Sequence, residues 1–178
     1  LTAGPSVPAP RIHLFDEGGD GNYIMLFDAD VVGPRITGWA SYSQYGSLGF
    51  YGLRMFNTGQ WVDPRFGGPE VIQVSFSERI DSTTFQPGNV FVTVNTGNQV
   101  GRRIPVTTQV TGGGLFAQIV LLQPIPDRSH VCVTIQGVKD EFGNVMGQNP
   151  DRLEFWTLVG DINGDGTVGN DDVSTVTA

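Results

Sequence analysis

Residues 161–172 read Asp161-Ile162-Asn163-Gly164-Asp165-Gly166-Thr167-Val168-Gly169-Asn170-Asp171-Asp172. Their types and spacing suit the capture of a hard cation. Calcium takes six to eight oxygen ligands, and a twelve-residue loop offers them from positions 1, 3, 5, 7, 9 and 12, with glycine at position 6 for the sharp turn. Counting from Asp161, side-chain oxygens fall at Asp161, Asn163 and Asp165, the backbone carbonyl of Thr167 stands at position 7, and Asp172 closes the loop. Gly166 sits where the turn needs it, and Val168 is apolar, as befits a residue turned back towards the protein. Gly169 has no ligating side chain, so a water serves at position 9. Residues 161–178 carry four aspartates and no Lys or Arg, which weakens the alternative of a plain polar turn. The expected cofactor is Ca2+.

Other chemistry-bearing residues make weaker cases. A second Asp/Gly-rich stretch, residues 16–22, lacks the spacing and reads as a solvated hairpin loop with no metal. His130 and Cys132 stand two apart on an expected strand, hence on one face, where an imidazole could activate a thiol. Free cysteine is commonly core, and that is the simpler reading. Asp28 and Asp30 also share a face, but glycoside chemistry needs two acids facing each other across a cleft; they read as solvated loop. Trp39, Tyr42, Tyr45, Phe50, Tyr51, Phe56 and Trp61 crowd residues 39–61. They suit core or inter-subunit packing, with a carbohydrate-stacking platform as the alternative. No residue is assigned as catalytic, and the expectation is a protein without enzymatic activity.

The elements that position these residues are strands. The 178 residues include 25 Gly and 11 Pro, and Val, Ile, Thr and Phe fill the segments between these breakers. Residues 71–76 alternate apolar and polar, as a half-buried strand does. Residues 90–94, 104–110, 116–122, 131–135 and 153–158 repeat that logic at regular spacing, which predicts a sandwich. Strands are also expected at residues 11–15 and 23–27, joined as a hairpin, and at 36–42 and 50–56. Pro5, Pro8 and Pro10 make residues 1–10 an extended arm. Residues 173–178 are β-branched and suit a strand as readily as a helix.

Composition narrows the function. A formal charge of −8, with Lys139 the sole lysine, offers no basic face for phosphates and argues against nucleic acid. Cys132 is the sole cysteine, so no internal disulfide forms. No apolar run reaches the roughly 18 residues of a membrane span. An opening of Leu1-Thr2-Ala3-Gly4-Pro5 suits a processed or trimmed product.

Two stretches carry a family resemblance: Val74-Ser75-Phe76-Ser77-Glu78-Arg79-Ile80-Asp81-Ser82-Thr83-Thr84-Phe85 and Val138-Lys139-Asp140-Glu141-Phe142-Gly143-Asn144-Val145-Met146. Residues 69–158 resemble a bacterial Ig-like domain of surface-layer and other exported proteins. That resemblance implies an Ig-like β-sandwich serving as a spacer or assembly module at the cell surface or outside the cell. The loop at 161–172 is EF-hand-type and is similar to the first half of a dockerin, which uses Asp at the twelfth position, as Asp172 does. A dockerin presents its cohesin-binding face with two such loops, and one stands here.

The expected organisation is a β-rich segment with its arm over 1–68, the Ig-like sandwich over 69–158, and the single calcium loop over 159–178. The fold class is all-β, an Ig-like sandwich with additional N-terminal strands. The expected function is that of a non-catalytic extracellular structural protein. Its terminal arms would add to a neighbour's open sheet edge and build a homopolymeric filament or surface layer. The alternative is a carbohydrate- or cohesin-binding module of an exported multidomain protein.

Overall fold

The structure, a computed structural model, describes residues 12–15, 24–27, 30–44, 46–56, 61–148 and 151–177. The chain divides into two compact units, Leu1–Val32 and Gly33–Ala178. In the first, β1 (Ile12–Phe15) and β2 (Ile24–Phe27) pair antiparallel as a two-stranded sheet, with Ile12 opposite Phe27 and Phe15 opposite Ile24. The expected arm over residues 1–10, the loop at 16–22 and Asp28 lie outside the described residues. Asp30 accepts the Val32 N–H at 3.1 Å.

The second unit holds β3 (Ile36–Gln44), β4 (Phe50–Met55), β5 (Val62–Asp63), β6 (Val71–Phe76), β7 (Val90–Thr96), β8 (Gln99–Ile104), β9 (Val106–Thr111), β10 (Phe116–Leu121), β11 (Ser129–Ile135) and β12 (Asp151–Thr157). An eight-residue helix, α1 (Asn170–Thr177), follows. The strands form two five-stranded sheets, in the orders β4-β3-β6-β10-β9 and β5-β12-β11-β7-β8. All pairs in them are antiparallel except β5 with β12. Alternation does what period 2 requires: β6 turns Ile72, Val74 and Phe76 inward, β11 turns Val131, Val133 and Ile135 inward, and β12 adds Leu153 and Phe155 to the same core. Each such side chain, fully buried, contributes about 1.5–3 kcal/mol, so this face-to-face core dominates the favourable side of folding.

The all-β, two-sheet architecture matches the expectation, with two differences of detail, and the tail takes the helical one of its two open readings. The single strand expected at 104–110 is two strands, because Pro105 cannot donate to a ladder: β8 ends in one sheet and β9 begins in the other, so the chain changes sheets at that residue. β3 and β4 join β6, so the sandwich draws strands from both sides of residue 69. Residues 170–177 are helical, and the reason is the cap. Asp172 accepts the Gly169 N–H at 2.8 Å, half of a capping box, and Asp171 and Asp172 place negative charge in the first turn, where the helix dipole favours it.

The two stretches that carry the family resemblance meet. Ile80 bridges Asp140, and the Asp81 N–H donates to the Lys139 carbonyl at 2.8 Å. Buried Asp140 accepts the N–H groups of Phe142 and Asn144, each at 2.8 Å, and the Asn144 side-chain amide at 2.7 Å. Gly143 completes that turn at φ 92°. Gly33 packs so tightly that a Cβ there would stand 1.8 Å from the Val145 carbonyl oxygen. Asp140 is therefore a turn organiser in a structural motif.

Candidate calcium loop

Residues 161–172 form a closed loop around two buried carboxylates. Asp161 accepts N–H groups from Gly164 (2.7 Å) and Asp165 (3.1 Å) on Oδ1 and from Gly166 (2.9 Å) on Oδ2. Asp172 accepts Ile162 (2.7 Å) and Asn163 (3.2 Å) on Oδ1 and Gly169 (2.8 Å) on Oδ2. Six backbone donors thus aim at the first and twelfth positions of the loop, and glycines at positions 4 and 6 make this possible, with φ of 77° at Gly164 and 87° at Gly166. Asp165 Oδ1 takes the Thr167 N–H (2.8 Å) and hydroxyl (2.7 Å). The Asn163 side-chain amide donates to Asp165 Oδ2 (3.1 Å) and Asp171 Oδ2 (3.0 Å).

These bonds test whether the residues fit calcium. The donor set is all hard oxygen: the carboxylates of Asp161, Asp165 and Asp172, the Asn163 side-chain carbonyl and the Thr167 backbone carbonyl. Number, charge and turn match a calcium loop. Among the described residues, no three of the loop's carboxylates bring oxygens within 4.8 Å of one another. The partly positive Asn163 amide lies between Asp165 and Asp171 instead, offsetting their charge. The residues fit the ion by type and by spacing, and their side chains here satisfy one another. Asp171 had no place in the sequence pattern; its part in holding Asn163 comes from the loop's closure.

Hydrogen bonding holds two of these acids below the ordinary carboxylate range. For Asp165 the leading cause is the Thr167 hydroxyl, followed by the Thr167 N–H; for Asp172 it is the Gly169 N–H. A carboxyl whose folded value is depressed stabilises at and above its ordinary value, about 3.9 for Asp, and loses that contribution as pH falls through the lowered one. In calcium-free protein, amide-exchange protection of Gly169 and Thr167 should therefore survive acidification to about pH 3.9 and vanish below it. Loss of protection already at pH 5 would contradict this.

The loop is tied to the sandwich at its entrance. The Asp161 N–H donates to Leu158 O (3.2 Å), Gly160 to Pro64 O (3.1 Å), Leu158 to Asp63 O (3.1 Å), and Val159 to Asp127 Oδ1 (2.8 Å). Asp63 in turn grips Arg65 through Nε at 2.8 Å and Nη2 at 2.5 Å. Both side chains are buried, and Arg65 also donates to the Ser41 hydroxyl and to the Tyr51 carbonyl at 3.2 Å. One arginine therefore joins β5, β3 and β4 beside the segment that carries the loop. Nothing in the sequence reading flagged this pair. A cleft of about 680 Å3 separates the loop from β12, with Arg128 and Trp156 on one side and Asp165, Thr167 and Val168 on the other.

The remaining candidates fall elsewhere. Cys132 is half-buried on the outer face of its sheet, not in the core, because Val131 and Val133 take the inward positions. Its sulfur lies 3.7 Å from the Thr134 hydroxyl. His130 lies 3.6 Å from Glu154 and stacks at a tilt on Trp156, with centroids 4.9 Å apart. The aromatic group over 39–61 splits: Trp39 is core, Trp61 packs edge-on against Phe155 at 5.8 Å, and Phe50, Tyr51 and Phe56 are exposed along β4 and its end. Trp39 and Trp61 thus form no open stacking platform, and Tyr45 lies outside the described residues.

The sequence matches no protein-family model and no curated protein. Among solved structures, the chain is similar to the N-terminal part of the bacterial S-layer protein SbsC (17% identity, 70% of this chain and 23% of that one, TM-score 0.44). It is also similar to the S-layer protein rSbsC (17%, 70% and 14%, TM-score 0.47) and to domains 1–6 of surface layer protein SbsC (17%, 68% and 13%, TM-score 0.44). The chain spans less than a quarter of the length of each.

Proposed function

We propose that this chain is a non-catalytic structural module of the cell exterior, a β-sandwich whose C-terminal dockerin-like loop binds one calcium ion, and that copies of it assemble into a filament or surface layer. The observation that supports the calcium part is the convergence of six backbone N–H groups on Asp161 and Asp172, the first and twelfth positions of the pattern, which closes the loop on itself. Asp161, Asn163, Asp165, Thr167 and Asp172 hold the ion. Bound calcium supplies a positive charge that lets the acids of the loop share one centre, and the anchored entrance passes that order to the sheet edge. Among the described residues β4 ends its five-stranded sheet and exposes Phe50, Leu53 and, just beyond it, Phe56, and a terminal apolar strand of this kind supports assembly.

Trp156 lines the cleft beside Asp165 and Thr167, which provides a direct test of the ion site. Terbium, a hard trivalent stand-in for calcium, should emit when Trp156 is excited, and calcium should quench that emission by competition. Asp161→Ala should abolish the signal, whereas Trp156→Phe should remove the emission while leaving calcium binding by calorimetry intact. Undiminished sensitised emission from Asp161→Ala would place the ion elsewhere.

A further inference from the structure

Of the three tryptophans, Trp156 is the open one. It is 45% exposed on the outer face of β12, whereas Trp39 is core and Trp61 packs on Phe155. Its place is fixed from two sides. The Trp156 backbone N–H donates to the Trp61 carbonyl at 2.8 Å. His130, opposite it on β11, stacks on the indole with centroids 4.9 Å apart and lies 3.6 Å from Glu154.

Arg128 stands on the same side of the cleft, and its backbone is unusual. Among the described residues it is the one non-glycine residue with positive φ, 53°, a conformation that persists only where the surroundings impose it. They do so here through three bonds. The Thr157 hydroxyl donates to the Pro126 carbonyl at 2.8 Å, the Ser129 N–H donates to the Thr157 hydroxyl at 3.2 Å, and the Val159 N–H donates to Asp127 Oδ1 at 2.8 Å. The Arg128 side chain is 82% exposed, and its nearest acid, Asp127, is 3.9 Å away, beyond hydrogen-bond length. A pinned, strained turn thus presents a guanidinium with its donors free beside a fixed indole face.

The opposite wall is polar. Gly164 and Gly166 bring bare backbone to the cleft, as glycine does where a ligand comes close. The Thr167 hydroxyl donates to Asp165 Oδ1 at 2.7 Å and keeps lone pairs to accept with. The cleft, about 680 Å3, lies inside the range of small-ligand sites, roughly 300–1,000 Å3. An aromatic wall facing a wall of donors and acceptors matches a molecule with one apolar face and a hydroxylated rim, which is a sugar ring. Charge narrows the class further. Residues 161–178 carry four aspartates and no Lys or Arg, and Asp127 lies next to Arg128, so an anionic glycan meets like charge.

We infer that the cleft between residues 164–168 and β12 binds a neutral saccharide, one ring stacking on Trp156 while its hydroxyls accept from Arg128 and donate to Thr167. The carbohydrate platform sought among residues 39–61 is closed; the open tryptophan lies near the end of the sandwich, beside the loop. This goes beyond the structural role proposed above and depends on neither the ion nor assembly.

Proton–nitrogen NMR of the full chain reads each indole N–H separately, and Trp156→Phe assigns one signal. Short gluco-, manno- and galacto-configured oligosaccharides are the probes, with an oligouronate as the charged comparison. At least one neutral probe should shift the Trp156 signal saturably and leave that of Trp39 in place. Trp156→Ala should weaken that binding about thirtyfold or more, the loss that marks an aromatic anchor. Arg128→Ala should weaken it about tenfold, the loss of one hydrogen bond from a charged donor, with an unchanged melting curve; it carries the test alone if Trp156→Ala melts early. No shift with any neutral probe at millimolar concentration, undiminished binding by Arg128→Ala, or tighter binding of the oligouronate than of every neutral probe would overturn the inference. The calcium and assembly readings stand or fall by their own measurements.

Discussion

Replacing Arg65 with alanine should lower the unfolding free energy by about 3–5 kcal/mol, the usual cost of stranding one member of a buried ion pair. The reason is geometric. Asp63 is fully buried, and its two carboxylate oxygens take the Arg65 Nε and Nη2 donors in a forked arrangement. Without the guanidinium, Asp63 keeps the backbone N–H of residue 65, and the bonds from Arg65 to the Ser41 hydroxyl and the Tyr51 carbonyl are lost as well. For a unit of this size the loss should lower the melting midpoint by roughly 6–20 °C. Arg128→Ala is the control: that side chain is 82% exposed, its nearest acid Asp127 is 3.9 Å away, and surface changes of this kind stay within about 0.5 kcal/mol. Replacing both partners, Asp63→Leu with Arg65→Met, should cost much less than Arg65→Ala, because no buried charge is left unpaired. Equal losses for the double replacement and for Arg65→Ala would show that shape, and not charge pairing, sets the stability there.

What the sequence disclosed, and what it did not, follows from range. Alternation is local, so residues 71–76, 90–94, 116–122, 131–135 and 153–158 announce strands before any fold is known, and each is one. β8 lacks that signal, because all its positions up to Ile104 are exposed. β5 is too short for periodicity and pairs in parallel with β12, a partner some ninety positions away. The Arg65 network depends on that distant pairing, so it could not be read locally. In the aromatic cluster, composition alone could not say which rings face inward: the register that pairs Trp39 with Met55 buries both, while Phe50 and Tyr51 lie at the edge. The loop at 161–172 is the opposite case. Its ligand types and its turn glycines are contiguous, so the candidate site was legible, whereas the bonds of Asn163 to Asp165 and Asp171 required the closed chain.

Removing calcium should loosen the C-terminal loop and, through its anchor, the sheet edge beside it. An extracellular calcium module binds with a dissociation constant on the order of 10⁻⁴ M or tighter. At millimolar calcium that affinity adds about 1–2 kcal/mol to the stability of whatever unfolds with the loop, by mass action. The route is specific: Asp161 and Asp172 are gripped by the loop's own amides, Gly160 donates to Pro64, and Leu158 donates to Asp63. Chelation should therefore first expose the chain beyond Val159 to protease, and next speed amide exchange at Leu158 and Gly160, while the exchange of core strands such as β6 and β11 stays unchanged. Asp161→Ala should reproduce the chelated behaviour and should not respond to added calcium. Asp171→Ala should keep the response, because Asp171 holds the Asn163 amide and is outside the proposed ligand set. If protease cuts the tail equally fast with and without chelator, or if Asp171→Ala abolishes the response while Asp161→Ala preserves it, the ligand assignment built on positions 1, 3, 5, 7 and 12 is wrong.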